Sequence, residues 1–298
     1  MKRGNPFTIL KRAFRNLHFL MFLNGFLIAS LFYFKMQSSY ENGLFASIKS
    51  SIDHQIDTDD TRDSVVVKAM HVCHLLMHNR AATFTGTTML GPEADFFNGA
   101  SVDLMTTRGA CGSYALVLAR LLQEYGYPVR IAQMKAEGIF GDHNLIEVNT
   151  GKSWVVLDPT FDLRFIRPDA HLASFADVHH NWNYYVAQTP NDYNPVYRYE
   201  DVRYTNWTKI PVLFPTIKSI FRLAIGRERT DTFSVRTLFL RIYTVYFYIT
   251  LLLSIPVILL TVRKLVKIKV FPSQDIPFTF NNLVKYMRAQ RSNSSYIH

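Results

Sequence analysis

Two apolar runs bracket the chain. Residues 17–34 hold no charged side chain over 18 positions, and residues 242–262 hold none over 21. That is about the length needed to cross the hydrocarbon core of a bilayer. The pattern predicts transmembrane helices over 17–35 and 238–262. The first run, which includes His18 and Asn24, follows a basic N-terminal stretch as a secretory signal does. Its apolar length exceeds an ordinary signal core, and no small-residue cleavage pattern closes it, so it reads as an uncleaved anchor.

Between the runs the periodicity changes. A polar juncture over 37–43 leads to a helical pattern over 64–78, where Val66, Met70, Cys73 and Met77 form one apolar stripe behind Thr61 and Asp63 as caps. Residues 80–107 read as a loop punctuated by Gly86, Gly91, Pro92 and Gly99, of the kind that carries substrate contacts. A second helix starts at Cys111, sets Ala115, Leu118, Ala119 and Leu122 on one face, and stops at Gly126 and Pro128. Three strands follow over 129–134, 143–149 and 153–158. If Thr150 and Gly151 form a two-residue turn, His143 directly opposes Asp158, on the same side of the hairpin. A slip of one residue separates them.

Residues 165–209 are rich in aromatic and polar side chains and read as irregular covering structure on the sheet, with packing as the principal use of the aromatics and sugar stacking as the alternative. Residues 210–225 form an amphipathic stretch suited to a membrane surface. No internal repeat is present. The tripeptide of Asn206, Trp207 and Thr208 fits a glycosylation acceptor.

The net charge of +10 lies in the tails. Lys2, Arg3, Lys11, Arg12 and Arg15 precede the first run with no acid among them. Arg263, Lys264, Lys267, Lys269, Lys285, Arg288 and Arg291 follow the second against Asp275 alone. The remainder, 17–262, carries 21 basic and 22 acidic residues, which excludes a basic nucleic-acid footprint. By the positive-inside rule both tails, 1–16 and 263–298, are cytoplasmic and 36–237 is an extracytoplasmic domain, periplasmic or at the cell surface. Arg222, Arg227, Arg229 and Arg236 oppose this orientation, but the basic cluster at 263–269 lies nearer the membrane.

The candidate chemistry is that of a thiol. Cys111 opens a helix, and His143 and Asp158 follow on adjacent strands. A helix N-terminus and a nearby imidazole both stabilise thiolate, and a carboxylate orients the imidazole. The backbone N–H of Cys111 is the natural first oxyanion donor, with a second expected from the 80–107 loop. Cys73 is either a buried thiol or the disulfide partner of Cys111. His71, His74 and His78 share a helical face at a spacing able to hold a metal, but no acid or thiol joins them there, and a polar outer face accounts for them. No cofactor and no metal are expected.

The blocks from Gly109 through Cys111 to Ala115, from Gly141 through His143 to Val148, and from Trp154 through Asp158 to Thr160 resemble the transglutaminase-like superfamily, over roughly residues 58–165. The resemblance implies an α+β, papain/transglutaminase-like core, with the Cys helix on an antiparallel sheet. In it Cys111 attacks an acyl carbon, His143 moves protons and Asp158 orients His143. Family members more often carry an aromatic soon after the His, where this chain has Asn144 and Leu145. The implied function is a membrane-anchored cysteine enzyme. It would form an acyl-enzyme on Cys111 and hydrolyse an amide or transfer the acyl group to an amine, on an envelope protein, peptide or glycan. The stretch from Arg108 to Cys111 is also similar to arylamine N-acetyltransferases, soluble enzymes that use acyl-CoA. The alternative from another class is an inactive binding or scaffold subunit with partners in a membrane complex.

Overall fold

The structure is a computed structural model and describes residues 16–83, 99–106, 110–209 and 213–270. The fold is α+β. Among the described residues there are nine α-helices and one five-stranded antiparallel sheet. Contacts divide the described residues into two compact units, one of 16–36 with 246–270 and one lying between 37 and 245.

The first unit contains two helices long and apolar enough to cross a membrane. Helix α1 is Leu17–Asp53, which contributes its residues up to Met36 to this unit. The second long helix, Ile242–Val270, contributes its residues from Tyr246 onward. They run antiparallel: Asn24 Nδ2 donates to Thr261 Oγ1 at 2.7 Å, and at the other end Phe34 meets Tyr246 with ring centroids 5.5 Å apart. Leu20, Leu27 and Val257 fill the seam.

The expected polar juncture at 37–43 is a correction: α1 continues through it without a break. Phe45 and Ile52, both fully buried, with Ile48 between them, form a helical stripe that packs into the core of the second unit, and this burial outweighs the polarity of the preceding turn. The second apolar helix starts at Ile242, and the residues from 238 expected to begin it lie instead around a 3₁₀ turn, Val235–Phe239.

The second unit is built around the sheet. Helix α2 is Arg62–Thr83, opened by Thr61, whose Oγ1 accepts from Ser64 N at 3.2 Å. A short helix α3, Ala100–Leu104, and α4, Cys111–Glu124, follow. Helix α4 ends where Gly126 takes a φ of +75°, the left-handed position that stops a helix. Strands β1 (Val129–Ala136), β2 (Ile139–Asn149), β3 (Trp154–Asp158), β4 (Leu163–Arg164) and β5 (Val202–Arg203) stand in the order β4-β3-β2-β1-β5.

The central strands are covered on both faces. Ile131, Ile146, Val148, Val155 and Leu157 face α2 and α4, burying Leu118, Leu121, Leu122 and Met70. Ala132, Met134, Leu145 and Val156 face the other way, into a layer with Phe165, Phe175, Tyr185, Tyr193 and Tyr199. That second layer corrects the reading of 165–209 as irregular. Besides turns it contains α5 (Phe175–His180), capped reciprocally by Ser174 and Asp177, and α6 (Trp182–Tyr185), and it supplies β5 as the fifth strand. Two residues are too few for strand periodicity to register. Beyond it lie α7 (Leu213–Ile225), strongly amphipathic as the sequence indicates, α8 (Arg227–Asp231), and α9, the second apolar helix already described.

Candidate active site

Cys111 is the first residue of α4 and is half-buried. Its N-cap, Ala110, offers no side-chain cap, so the positive end of the helix is left facing the thiol's surroundings. Asn144 Nδ2 donates to Cys111 Sγ at 3.3 Å, and the Asp142 carbonyl lies 3.7 Å from the same sulfur.

His143 enters through a β-bulge. Met134 pairs with His143 but Lys135 pairs with Phe140, so Gly141 and Asp142 bulge out of the ladder, with Gly141 at a φ of +95°. The ring that follows is 1% exposed. Its Nε2 lies 2.6 Å from Asp158 Oδ2, which leaves the other ring nitrogen for the thiol. Tyr197 stacks on the imidazole, with centroids 4.3 Å apart and planes 15° apart, and Phe161 stands 6.0 Å away.

Asp158 is the last residue of β3 and is fully buried. Buried carboxylates need their lone pairs satisfied. Here Oδ1 accepts from Thr160 N at 3.1 Å and Oδ2 accepts from the Tyr193 hydroxyl at 3.3 Å, beside its bond to His143. The loop that follows is gripped from α2: His74 Nδ1 bonds the Pro159 carbonyl at 3.0 Å and His71 Nδ1 meets Asp162 Oδ2 at 2.6 Å. Two of the three histidines on that helical face therefore anchor the loop carrying Asp158. Both cysteines are free, and Cys73 is buried with Sγ 3.8 Å from the Tyr114 carbonyl.

The direct pairing of His143 with Asp158 is corrected. Asn149 pairs with Trp154 and Ile146 with Leu157, so the turn holds four residues rather than two. The Asn149 carboxamide caps Gly151 N at 2.8 Å, and Thr150 N bonds the Ser153 carbonyl at 3.1 Å, which stabilises the wider turn. Continuing that register sets Asp158 opposite Leu145, two residues from His143. A shift of two preserves the face, so the side chains still meet on a diagonal.

The electrostatics follow from these contacts. Burial opposes thiolate at Cys111, but hydrogen bonds from His143 and Asn144 and the imidazole charge outweigh it and lower the thiol pKa. Burial likewise opposes a charged His143, yet the charge and hydrogen bond of Asp158, with the thiol's help, raise its pKa from 6.5 to about 9. In contrast Cys73, with burial as the leading cause, is pushed well above the ordinary thiol range. Both shifts favour a thiolate beside an imidazolium.

Compared with protein-family models, with curated proteins and with solved structures, the chain matches none. The three residues singled out from sequence are nonetheless brought together in one place. The sequence alone does not assign Asn144, Tyr193, Tyr197 or Arg236 to the site. Only Asn144 left a trace, since strand alternation sends it to the helix face of β2, toward α4. The second oxyanion donor expected from 80–107 lies largely outside the described residues.

Proposed function

We propose that the chain is a membrane-anchored cysteine enzyme with a papain/transglutaminase-like core that transfers or hydrolyses acyl groups on an extracytoplasmic substrate. The observation carrying this reading is the 2.6 Å contact between His143 and Asp158 in the surroundings of the Cys111 thiol, together with a lowered thiol and a raised imidazole. A thiol buried only for packing shows the opposite shift, as Cys73 does.

In this mechanism Cys111 thiolate attacks the carbonyl carbon of an amide, and the carbonyl π electrons move to oxygen. The backbone N–H of Cys111 and the amide of Asn144 face the developing oxyanion. Collapse expels the amine, which takes a proton from His143. The thioester left on Cys111 is then attacked by water or an amine that His143 deprotonates, returning free thiol. Asp158 fixes the imidazole and stabilises its positive form. Two apolar helices flanked by basic tails support a reading in which the site lies beyond the cytoplasm, near envelope proteins, peptides or glycans.

The test uses the full-length protein in native membranes, supplied with a fluorescent primary amine and envelope material. Wild type incorporates the amine into envelope components or releases fragments from them, and Cys111→Ala, folded by its thermal transition, does neither. A membrane-impermeant maleimide labels Cys111 in intact cells. Equal behaviour of wild type and Cys111→Ala rejects the enzyme in favour of a scaffold.

A further inference from the structure

A row of side chains crosses the sheet beside the thiol. Arg203 on β5 pairs with Gln133 on β1, which pairs with Asn144 on β2, so the three project from one face, the face carrying α4. Arg203 Nε donates to Gln133 Oε1 at 3.1 Å and its Nη2 to the Phe140 carbonyl at 3.3 Å, while its guanidinium lies 4.9 Å from the Phe140 ring centroid. From the 3₁₀ turn, Arg236 Nη1 donates to Asn144 Oδ1 at 2.6 Å, and the other end of that amide reaches Cys111 Sγ.

The two guanidiniums therefore flank one end of the site. Among the described residues neither has a carboxylate within ion-pair distance; Asp142, the exposed acid of the adjacent bulge, pairs with neither. Their hydrogen bonds use one N–H of Arg236 and two of Arg203, out of five on each. Burial and the like charge of Arg203 lower the pKa of Arg236, against the pull of the Cys111 thiolate. Two unneutralised cations held together by neutral acceptors are in the state that an incoming anion improves.

We infer that Arg203 and Arg236 form a subsite for an anionic group on the acyl donor, a carboxylate close to the carbonyl that Cys111 attacks. Rigid guanidinium forks suit a carboxylate, and binding there brings the substrate's acyl carbon toward the sulfur. Arg236 is also a positioning residue: by fixing Asn144 Oδ1 it turns the amide nitrogen toward Cys111.

This inference rests on the nucleophilic reading of Cys111, and alkylation tests the two separately. Full-length protein in detergent is treated at neutral pH with iodoacetate, an anion, or iodoacetamide, its neutral counterpart, and modification of Cys111 is followed by mass spectrometry. In either case the sulfur displaces iodide from carbon. Wild type favours iodoacetate, and the preference shrinks as salt rises. Arg203→Gln and Arg236→Gln each lower the iodoacetate-to-iodoacetamide rate ratio by about three- to tenfold, the scale of one partly screened charge. Arg236→Lys, which keeps the charge, retains most of the ratio. A ratio unchanged in both Gln variants overturns the subsite while leaving the nucleophile standing. Cys111 inert to both reagents overturns the nucleophile and the subsite together.

Discussion

Tyr197 lies flat on His143, its ring centroid 4.3 Å from that of the imidazole. A π face favours a cation held against it by about 0.5–2 kcal/mol, so the tyrosine stabilises the imidazolium form in addition to barring water from it. Tyr197→Ala therefore lowers the imidazole pKa by up to about one unit and moves the midpoint of Cys111 alkylation by iodoacetamide upward. Tyr197→Phe keeps the face and leaves that midpoint near wild type. Rate against pH for both variants separates stacking from any role of the hydroxyl, and equal shifts in the two rule stacking out.

Asp158 supplies charge that no neutral group in its place can replace. Asp158→Asn keeps the side-chain volume but removes the attraction that holds His143 protonated. The imidazole pKa then falls, the thiol pKa climbs back toward its ordinary range, and amine incorporation drops by roughly 10²–10⁴-fold. The alkylation profile and the incorporation assay should move together. A variant that loses incorporation with an unshifted profile would assign Asp158 to folding alone.

The raised pKa of His143 also fixes the direction of a stability effect. A group whose pKa is higher folded than unfolded stabilises the fold fully below its unfolded value, about 6.5, and loses that contribution as pH rises through about 9. For a ring this buried the upper bound is about 3 kcal/mol. Melting temperatures of wild type and His143→Gln in detergent should differ most near pH 6 and converge toward pH 9.5. A gap that widens with pH contradicts the assignment of the charge.

Much of this geometry is legible along the chain because it is local. The helix beginning at Cys111 and the strands around His143 and Asp158 are set by apolar periodicity, by Gly126 and Pro128, and by a turn whose error of two residues preserved the shared face. The rest depends on residues distant in sequence. Tyr193 and Tyr197 reach the site because α5 and α6 pack across the sheet, and Arg236 arrives from the approach to α9. Arg236 reads from sequence as a charge at odds with the membrane orientation; in the structure it meets a polar amide beside the thiol. The bulge at Gly141 and Asp142 is equally invisible in the sequence, since a glycine before a strand does not say whether it ends the ladder or distorts it.

The opposite end of α4 is held by ionic contacts whose removal should be asymmetric. Arg120 is fully buried: it pairs with Glu124 through Nη1, donates from Nη2 to Asn42 Oδ1 at 2.7 Å, and lies 4.8 Å from the Phe45 ring centroid. Arg241 Nη2 meets the same Glu124 oxygen at 3.0 Å, so one carboxylate separates two guanidiniums. Glu124→Ala removes the ion-pair partner that the two cations share, one of them buried, and should cost about 3–5 kcal/mol. Arg120→Met removes the buried charge while keeping an apolar stem against Phe45, and Glu124 retains Arg241. That change should cost about 1–2 kcal/mol, because the lost pair is offset by the desolvation it no longer requires. Unfolding of the full-length protein in detergent checks the ranking. Equal losses in the two variants would mean that packing, not charge, holds this end of the helix.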